Sequence, residues 1–243
     1  MDRLQKVIAQ SGVTSRRKAE QYIREGRVAV DGEVVTEMGY IVRKKAIITV
    51  DGKAIVKENK VYFVMNKPRK VLCSVSDDRQ RETVTSLIPS EYRIFPVGRL
   101  DYDTTGLLIL TNDGEFANSL IHPRFHIPKT YQVRIKGILS TAAIKNIESG
   151  IVLDDGIKTL PAKVWVTNKD FEKSMTDFDL TIMEGRNRQI KRMMETLGFQ
   201  VRKLHRSQLG FLTIKDLKLG EYRILKPFEV KRLRALAEEG IQI

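Results

Sequence analysis

The sequence predicts an α+β protein in two parts, a small α/β unit followed by a larger, mainly antiparallel mixed sheet. Three features point there. Strand-like runs recur along most of the chain, helical stripes are interspersed without a regular strand–helix–strand rhythm, and a charged connection at residues 52–60 separates two segments of different character. The boundary is placed at 58, giving domains 1–58 and 59–243.

In the first part, Leu4, Val7 and Ile8 fall on one helical face, and Gly12-Val13 ends the pattern. Thr14 or Ser15 can cap a second helix whose apolar stripe is Ala19, Tyr22 and Ile23. Arg16, Arg17 and Lys18 occupy its first turn, where cations oppose the helix dipole; a bound phosphate would remove that cost. Gly26 stops the helix. Val28-Ala29-Val30, the turn Asp31-Gly32 and Val34-Val35 then read as a β-hairpin, and Ile47-Ile48-Thr49-Val50 as a further strand.

The second part opens with the strand Val61-Tyr62-Phe63-Val64-Met65, ended by Asn66-Lys67-Pro68. After a polar loop at 74–81, Gly98-Arg99-Leu100-Asp101 begins a stretch in which a loop carboxylate runs into the buried strand Leu107-Leu108-Ile109-Leu110-Thr111, closed by the turn Asn112-Asp113-Gly114. A carboxylate anchored by a rigid strand suits chemistry, and on local pattern alone it equally suits loop capping. Phe116, Leu120 and Ile121 mark a short helix, Tyr131–Ile135 a strand, 141–149 a helix up to Gly150, and 163–167 and 178–183 two more strands. Ile190, Met193, Met194 and Leu197 give a buried helical face, with Arg188, Lys191, Arg192 and Glu195 on the opposite side. The run Glu229–Glu239 is an amphipathic closing helix without evident chemistry.

A net charge of +13 points to a polyanionic partner, nucleic acid ahead of anionic lipid. The charge is concentrated at 184–206, where Arg186, Arg188, Lys191, Arg192, Arg202, Lys203 and Arg206 stand against Glu184 and Glu195; this surface faces RNA, supplies an ion pair, or is simply solvated. One cysteine excludes an internal disulfide, and Cys73 reads as packing; with three histidines it leaves too few ligands for a dedicated Cys/His zinc site. No apolar run has membrane-spanning length and the N-terminus lacks a signal-like segment, so a cytoplasmic protein without a membrane partner is expected.

Two resemblances sharpen this. Leu4-Gln5-Lys6-Val7-Ile8, Ser15-Arg16-Arg17-Lys18-Ala19-Glu20 and Val28-Ala29-Val30-Asp31-Gly32 resemble the S4 RNA-binding domain, implying docking to structured RNA through shape and phosphates. Gly98-Arg99-Leu100-Asp101-x-x-Thr104-x-Gly106 resembles the signature of the RsuA/RluB-like ribosomal RNA pseudouridine synthases. Lys129-Thr130-Tyr131-Gln132-Val133, the block Glu184 to Met193, and Leu209-Gly210-Phe211-Leu212 are similar to that family's remaining motifs. The charged C-terminal segment 227–236 looks closest to the branch acting on large-subunit ribosomal RNA, whereas Asn66-Lys67-Pro68 departs from the expected tyrosine before Lys-Pro.

The resemblance implies that a flipped uridine is cut at its N-glycosidic bond, turned, and rejoined through C5. Asp101 matches the catalytic carboxylate, adding to C1′ or removing the C2′ proton. Lys191 is the expected ion-pair partner, with Arg188 and Arg192 as substitutes; Tyr131 would stack on the base and Leu212 pack beneath it. Arg16, Arg17, Lys18, Arg99, Arg186, Arg188 and Arg192 would contact RNA. Asp103 reads as a neighbouring loop residue, because the Asp101-x-Asp103 pair lacks the further carboxylates of a two-metal nuclease. No metal or organic cofactor is required, and the expected partner of this monomer is ribosomal RNA or a pre-ribosomal particle. The rivals are a non-catalytic S4-type assembly factor and a small-subunit ribosomal RNA pseudouridine synthase.

Overall fold

Leu4, Ile8, Ala19 and Ile23, the apolar stripes of the first two helices, are buried in one core with Val28, Val30, Ile48 and Val50. The computed structural model describes residues 1–239. Its first compact unit comprises Met1–Val61 with Ser90–Ile94 and Asn112–Gly114. Here β1 (Asp2–Arg3) leads into α1 (Leu4–Gln10) and α2 (Arg16–Arg24). Ser15 is the cap, its Oγ accepting from the Lys18 amide at 3.2 Å. Then come β2 (Val28–Val30), β3 (Glu33–Val34), β4 (Ile41–Val42), β5 (Ile48–Val50) and β6 (Lys53–Ala54), with β3-β2-β5-β6 forming one sheet and β1 pairing with β4. The two-residue strands β1 and β4 are too short to leave an alternation in sequence. Asp31 and Gly32 both take positive φ, 52° and 90°, as a tight hairpin turn of this twist requires. Arg27 lies 3.8 Å above the Tyr22 ring and donates two hydrogen bonds to Asp51, at 2.7 and 2.6 Å.

The second unit holds Tyr62–Pro89, Phe95–Thr111 and the chain from Glu115 onward. Its elements are β7 (Tyr62–Lys67), β8 (Phe95–Pro96), β9 (Thr105–Thr111), α3 (Gly114–Ile121), β10 (Lys129–Lys136), α4 (Thr141–Ser149), β11 (Lys163–Asp170), β12 (Met175–Ile182), α5 (Gln189–Thr196), β13 (Gln200–Leu209), β14 (Leu212–Thr213), β15 (Tyr222–Ile224) and α6 (Pro227–Glu239). Seven strands run in the order β11-β12-β10-β13-β9-β7-β15, with β14 and β8 added at β13 and β9. Every pairing is antiparallel except β9 with β13. The fold is thus α+β and mainly antiparallel.

Strand β9 is buried at all seven positions, and its Leu107 and Ile109 share a core with Phe116 and Leu120 of α3, Leu209, Leu212, and Leu233 and Ala237 of α6. The closing helix begins at Pro227, two residues before the acidic run. Glu229 in its first turn accepts from the Lys226 amide at 2.8 Å and from Arg223 at 2.7 and 2.8 Å, which holds its carboxyl below the usual range. Among the described residues no helix is long and apolar enough to cross a membrane.

The largest departure from the sequence expectation is β13, the ten-residue strand at the middle of the sheet. Its residues Arg202, Lys203 and Arg206 read in sequence as surface charge. The strand buries Leu204, Arg206 and Leu209, so an arginine occupies a core-facing position and interrupts the apolar alternation.

Candidate active site

The parallel contact between β9 and β13 places Thr105 opposite His205 and Gly106 opposite Arg206. Gly106 has φ 114°, and a Cβ there would stand 2.3 Å from the Arg206 carbonyl oxygen, so the two backbones approach this closely only because the residue is glycine. Backbone register then continues across five strands: Lys67 pairs with Gly106, Gly106 with Arg206, Arg206 with Tyr131, and Tyr131 with Leu180. Cross-strand partners share a face, so lysine, glycine, arginine and tyrosine line up in one row. A register shift between Thr130 and Tyr131 falls at the arginine–tyrosine step, a place where bulges re-aim side chains.

The loop carrying Asp101 enters β9 at one end of this row. Lys67 is fully buried, and its Nζ donates to the carbonyls of Pro68, Asp101 and Thr104 at 2.9, 3.2 and 3.1 Å. All three ammonium donors are thereby used on backbone. Burial lowers its pKa, opposed by Cys73, Asp103 and Asp101. The Leu100 amide donates to Cys73 Sγ at 3.3 Å, and burial raises that thiol's pKa, so Cys73 braces the loop rather than acting as a nucleophile.

Helix α5 supplies the opposing cation. Lys191 Nζ stands 3.1 Å from Asp101 Oδ2 and 2.6 Å from Asp103 Oδ1. Asp103, read from sequence as a mere neighbour, is thus the shorter contact of the two. Burial works against ionisation of Asp103, but the hydrogen bond and charge of Lys191 outweigh it and hold the carboxyl below its ordinary range. The side chains of Lys191, Asp101 and Asp103 are 11%, 34% and 53% exposed, so the ammonium is the buried member and the carboxylates reach solvent.

Asp101, Lys191 and Tyr131 line one cavity of about 170 Å³ together with Arg99, Thr104, His126, Lys129, Ile182, Glu184, Ile190, Leu204, Arg206 and Leu209. Drug-sized sites run from about 300 Å³ upward, so this one suits a single nucleobase. Three buried polar atoms without a hydrogen-bond partner belong to its lining: Thr104 Oγ1, His126 Nδ1 and Arg206 Nη2. Buried polar groups are nearly always satisfied, and these three leave hydrogen-bonding capacity open to a polar ligand or water in this space. Glu184, by contrast, is fully engaged, accepting from the Leu160 amide, Gln189 Nε2 and Arg186 Nε at 2.9, 3.0 and 3.0 Å.

Of the remaining expected residues, Arg99, Arg186 and Arg188 also line this cavity, whereas Arg192 and Leu212 do not. Arg16, Arg17 and Lys18 are exposed on the first unit, and Arg99 is exposed at the cavity. The basic helix face does not stay together: Arg192 pairs with Asp154 and Asp155, Arg188 approaches Glu195 at 3.6 Å, Arg186 pairs with Glu184, and Lys191 alone reaches Asp101. Helical spacing gave the shared face, but carboxylates from other segments set each cation's destination. Leu212 lies in the core with Leu107 and Leu233 and is not part of the cavity lining, where Leu209 stands instead. Lys67, Lys129, Arg206 and Thr104 were missed as site residues. The signal for them was weak, because a lysine before proline and an arginine in a basic run both look superficial.

Residues 61–196 match the RNA pseudouridylate synthase family, and residues 2–48 match the S4 domain. The chain is 51% identical over 241 residues, 99% of its own length and 98% of the relative's, to the ribosomal large subunit pseudouridine synthase B of Bacillus subtilis (strain 168). It is 39% identical over 234 residues, 95% of this chain and 93% of the relative, to an uncharacterized RNA pseudouridine synthase of Aquifex aeolicus (strain VF5). A crystal structure of a pseudouridylate synthase is similar at a TM-score of 0.68 and 32% identity, covering 96% of this chain and 100% of that one. A family match over more than half the chain, a half-identical relative of nearly equal length and a cavity built around a loop carboxylate lead to one assignment: this chain belongs to the RNA pseudouridylate synthases, with an S4 domain at its N-terminal end.

Proposed function

We propose that this enzyme converts a uridine of large-subunit ribosomal RNA to pseudouridine, with Asp101 as its catalytic carboxylate. The observation that carries the residue assignment is the Asp101–Lys191 contact at 3.1 Å on the wall of a base-sized cavity. The substrate assignment is supported by the similarity to the Bacillus subtilis large-subunit enzyme. Residues 1–58 dock structured RNA, with Arg16, Arg17 and Lys18 on phosphates, and residues 59–243 carry the chemistry. The enzyme works as a cytoplasmic monomer on ribosomal RNA or a pre-ribosomal particle.

A paired base is out of reach, so the uridine is flipped out at a cost of a few kcal/mol, offset by phosphate contacts. Tyr131 offers a ring to stack on it. Lys191 pairs with Asp101 beside the sugar, where the carboxylate either bonds to C1′ or takes the C2′ proton. Asp101→Asn, expressed as the sole copy in cells, should abolish the modification. Pseudouridine mapping of ribosomal RNA from cells with the wild type, with the variant and without the protein reads the result. An undiminished pseudouridine in the variant would overturn the assignment of Asp101.

A further inference from the structure

Two cations inside the cavity have no carboxylate partner among the described residues. Arg206 is 4% exposed; its Nε donates to the Leu107 carbonyl at 2.7 Å, and its buried Nη2 has no partner. Lys129 Nζ donates to the Ile127 carbonyl at 2.9 Å. Burial first, and the charge of Arg206 second, push the Lys129 pKa down to about 8, with Glu184 acting against them. Two neighbouring cations largely out of water without an ion-pair partner among the described residues are costly, and the charge of Glu184 offsets only part of that for Lys129. Both face the cavity that Asp101 lines, and Arg206 is the cross-strand neighbour of Tyr131.

The reaction itself generates the missing anion. When C1′–N1 breaks, both bonding electrons stay with the base, and uracil leaves as a monoanion with charge on N1 and its carbonyl oxygens. This holds whether Asp101 has bonded to C1′ or has taken the C2′ proton. C5 then bonds to C1′ as the carboxylate departs or the proton returns to C2′. Loss of the C5 proton and gain of one at N1 complete the isomer. We propose that Arg206, with Lys129 beside it, holds the carbonyl oxygens of the detached uracil anion while the base turns. The inference rests on the assignment of the Asp101 cavity as the active site.

The test is single-turnover kinetics on a ribosomal RNA fragment carrying uridine or 5-fluorouridine at the target, read as loss of the original N-glycosidic nucleoside. Fluorine makes the departing base a weaker base, so its anion needs less help. Arg206→Gln should slow uridine by about 100-fold, the effect of removing one preorganised donor, and 5-fluorouridine by about tenfold or less. RNA affinity should stay within about twofold, and Arg206→Lys should be intermediate. Equal slowing of both substrates would mean a structural role and overturn the inference. Weakened RNA binding with an unchanged saturating rate would assign the guanidinium to a phosphate and overturn it too. If Arg206→Gln does not fold, Lys129→Met carries the same test, expected at about tenfold against about twofold, with equal factors again decisive against. Asp101→Asn, assayed in parallel, separates the two claims: an active Asp101→Asn removes the cavity assignment, whereas an inactive one beside a fully active Arg206→Gln removes only this inference.

Discussion

Two lysines hold the Asp101 loop, and they hold different things. Lys67 spends all three donors on backbone carbonyls of Pro68, Asp101 and Thr104, and is fully buried. Lys191 spends its charge on the carboxylates of Asp101 and Asp103. The first fixes where the Asp101 backbone sits; the second sets where its carboxylate points. A buried charge is therefore not one kind of object. Facing carbonyl dipoles it braces a loop, and facing carboxylates at a cavity wall it orients the side chains there.

The comparison breaks most visibly at Lys191. Lys191→Met should lower the single-turnover rate by about 10³-fold with little change in melting temperature, because Asp101 then relies on water alone. A comparable loss of stability would show that the two lysines share one job. Lys67→Met should do the reverse, costing about 3 kcal/mol of unfolding free energy, roughly one for each carbonyl left without a donor. Urea denaturation measures it, and an unshifted midpoint would count against the scaffold reading.

Lys129 sharpens the contrast as a lysine with neither carboxylate nor a full set of carbonyls. Its pKa falls from the ordinary 10.5 to about 8 on folding. Between those values the unfolded chain binds more protons, so wild-type stability should rise as pH climbs through the window, with the cost of the buried charge fully present below it. Lys129→Met should flatten that rise and add stability of order 1 kcal/mol at neutral pH, seen in melting curves taken across the window. A parallel pH dependence in the variant would place the titration elsewhere. The smallest effect is expected from Asp103→Asn. Lys191 then serves Asp101 alone, so the single-turnover rate at neutral pH should change by less than about fivefold. A loss as large as that of Lys191→Met would show that Asp103, not Asp101, is the carboxylate Lys191 serves.

What was legible in the sequence was local. The Ser15 cap, the apolar run of β9 and the stripe of α5 each announce themselves within a few residues, because hydrogen bonds and periodicity operate at that range. Motif resemblance singled out Asp101 and Lys191 as a proposed pair, and the structure brings them within 3.1 Å. What was hidden depends on partners far along the chain. Lys67 looks like a surface lysine until the loop at 101–104 is folded over it. Arg206 looks like one more charge in a basic run until β9 closes against β13. Arg192 belongs to an apparently cationic face until Asp154 and Asp155 take it away.

The row from Lys67 through Gly106 and Arg206 to Tyr131 also bears on synthesis. Its members are scattered over the chain, and the strand that completes it, β13, ends at Leu209. A chain growing on the ribosome can fold its first unit early, but the central strand of the larger sheet comes late, and such long-range pairing is slow to form. RNA-binding competence is thus expected to precede modifying competence. A prematurely released product ending before β13 would carry the docking unit and the motif loop without ever assembling the cavity.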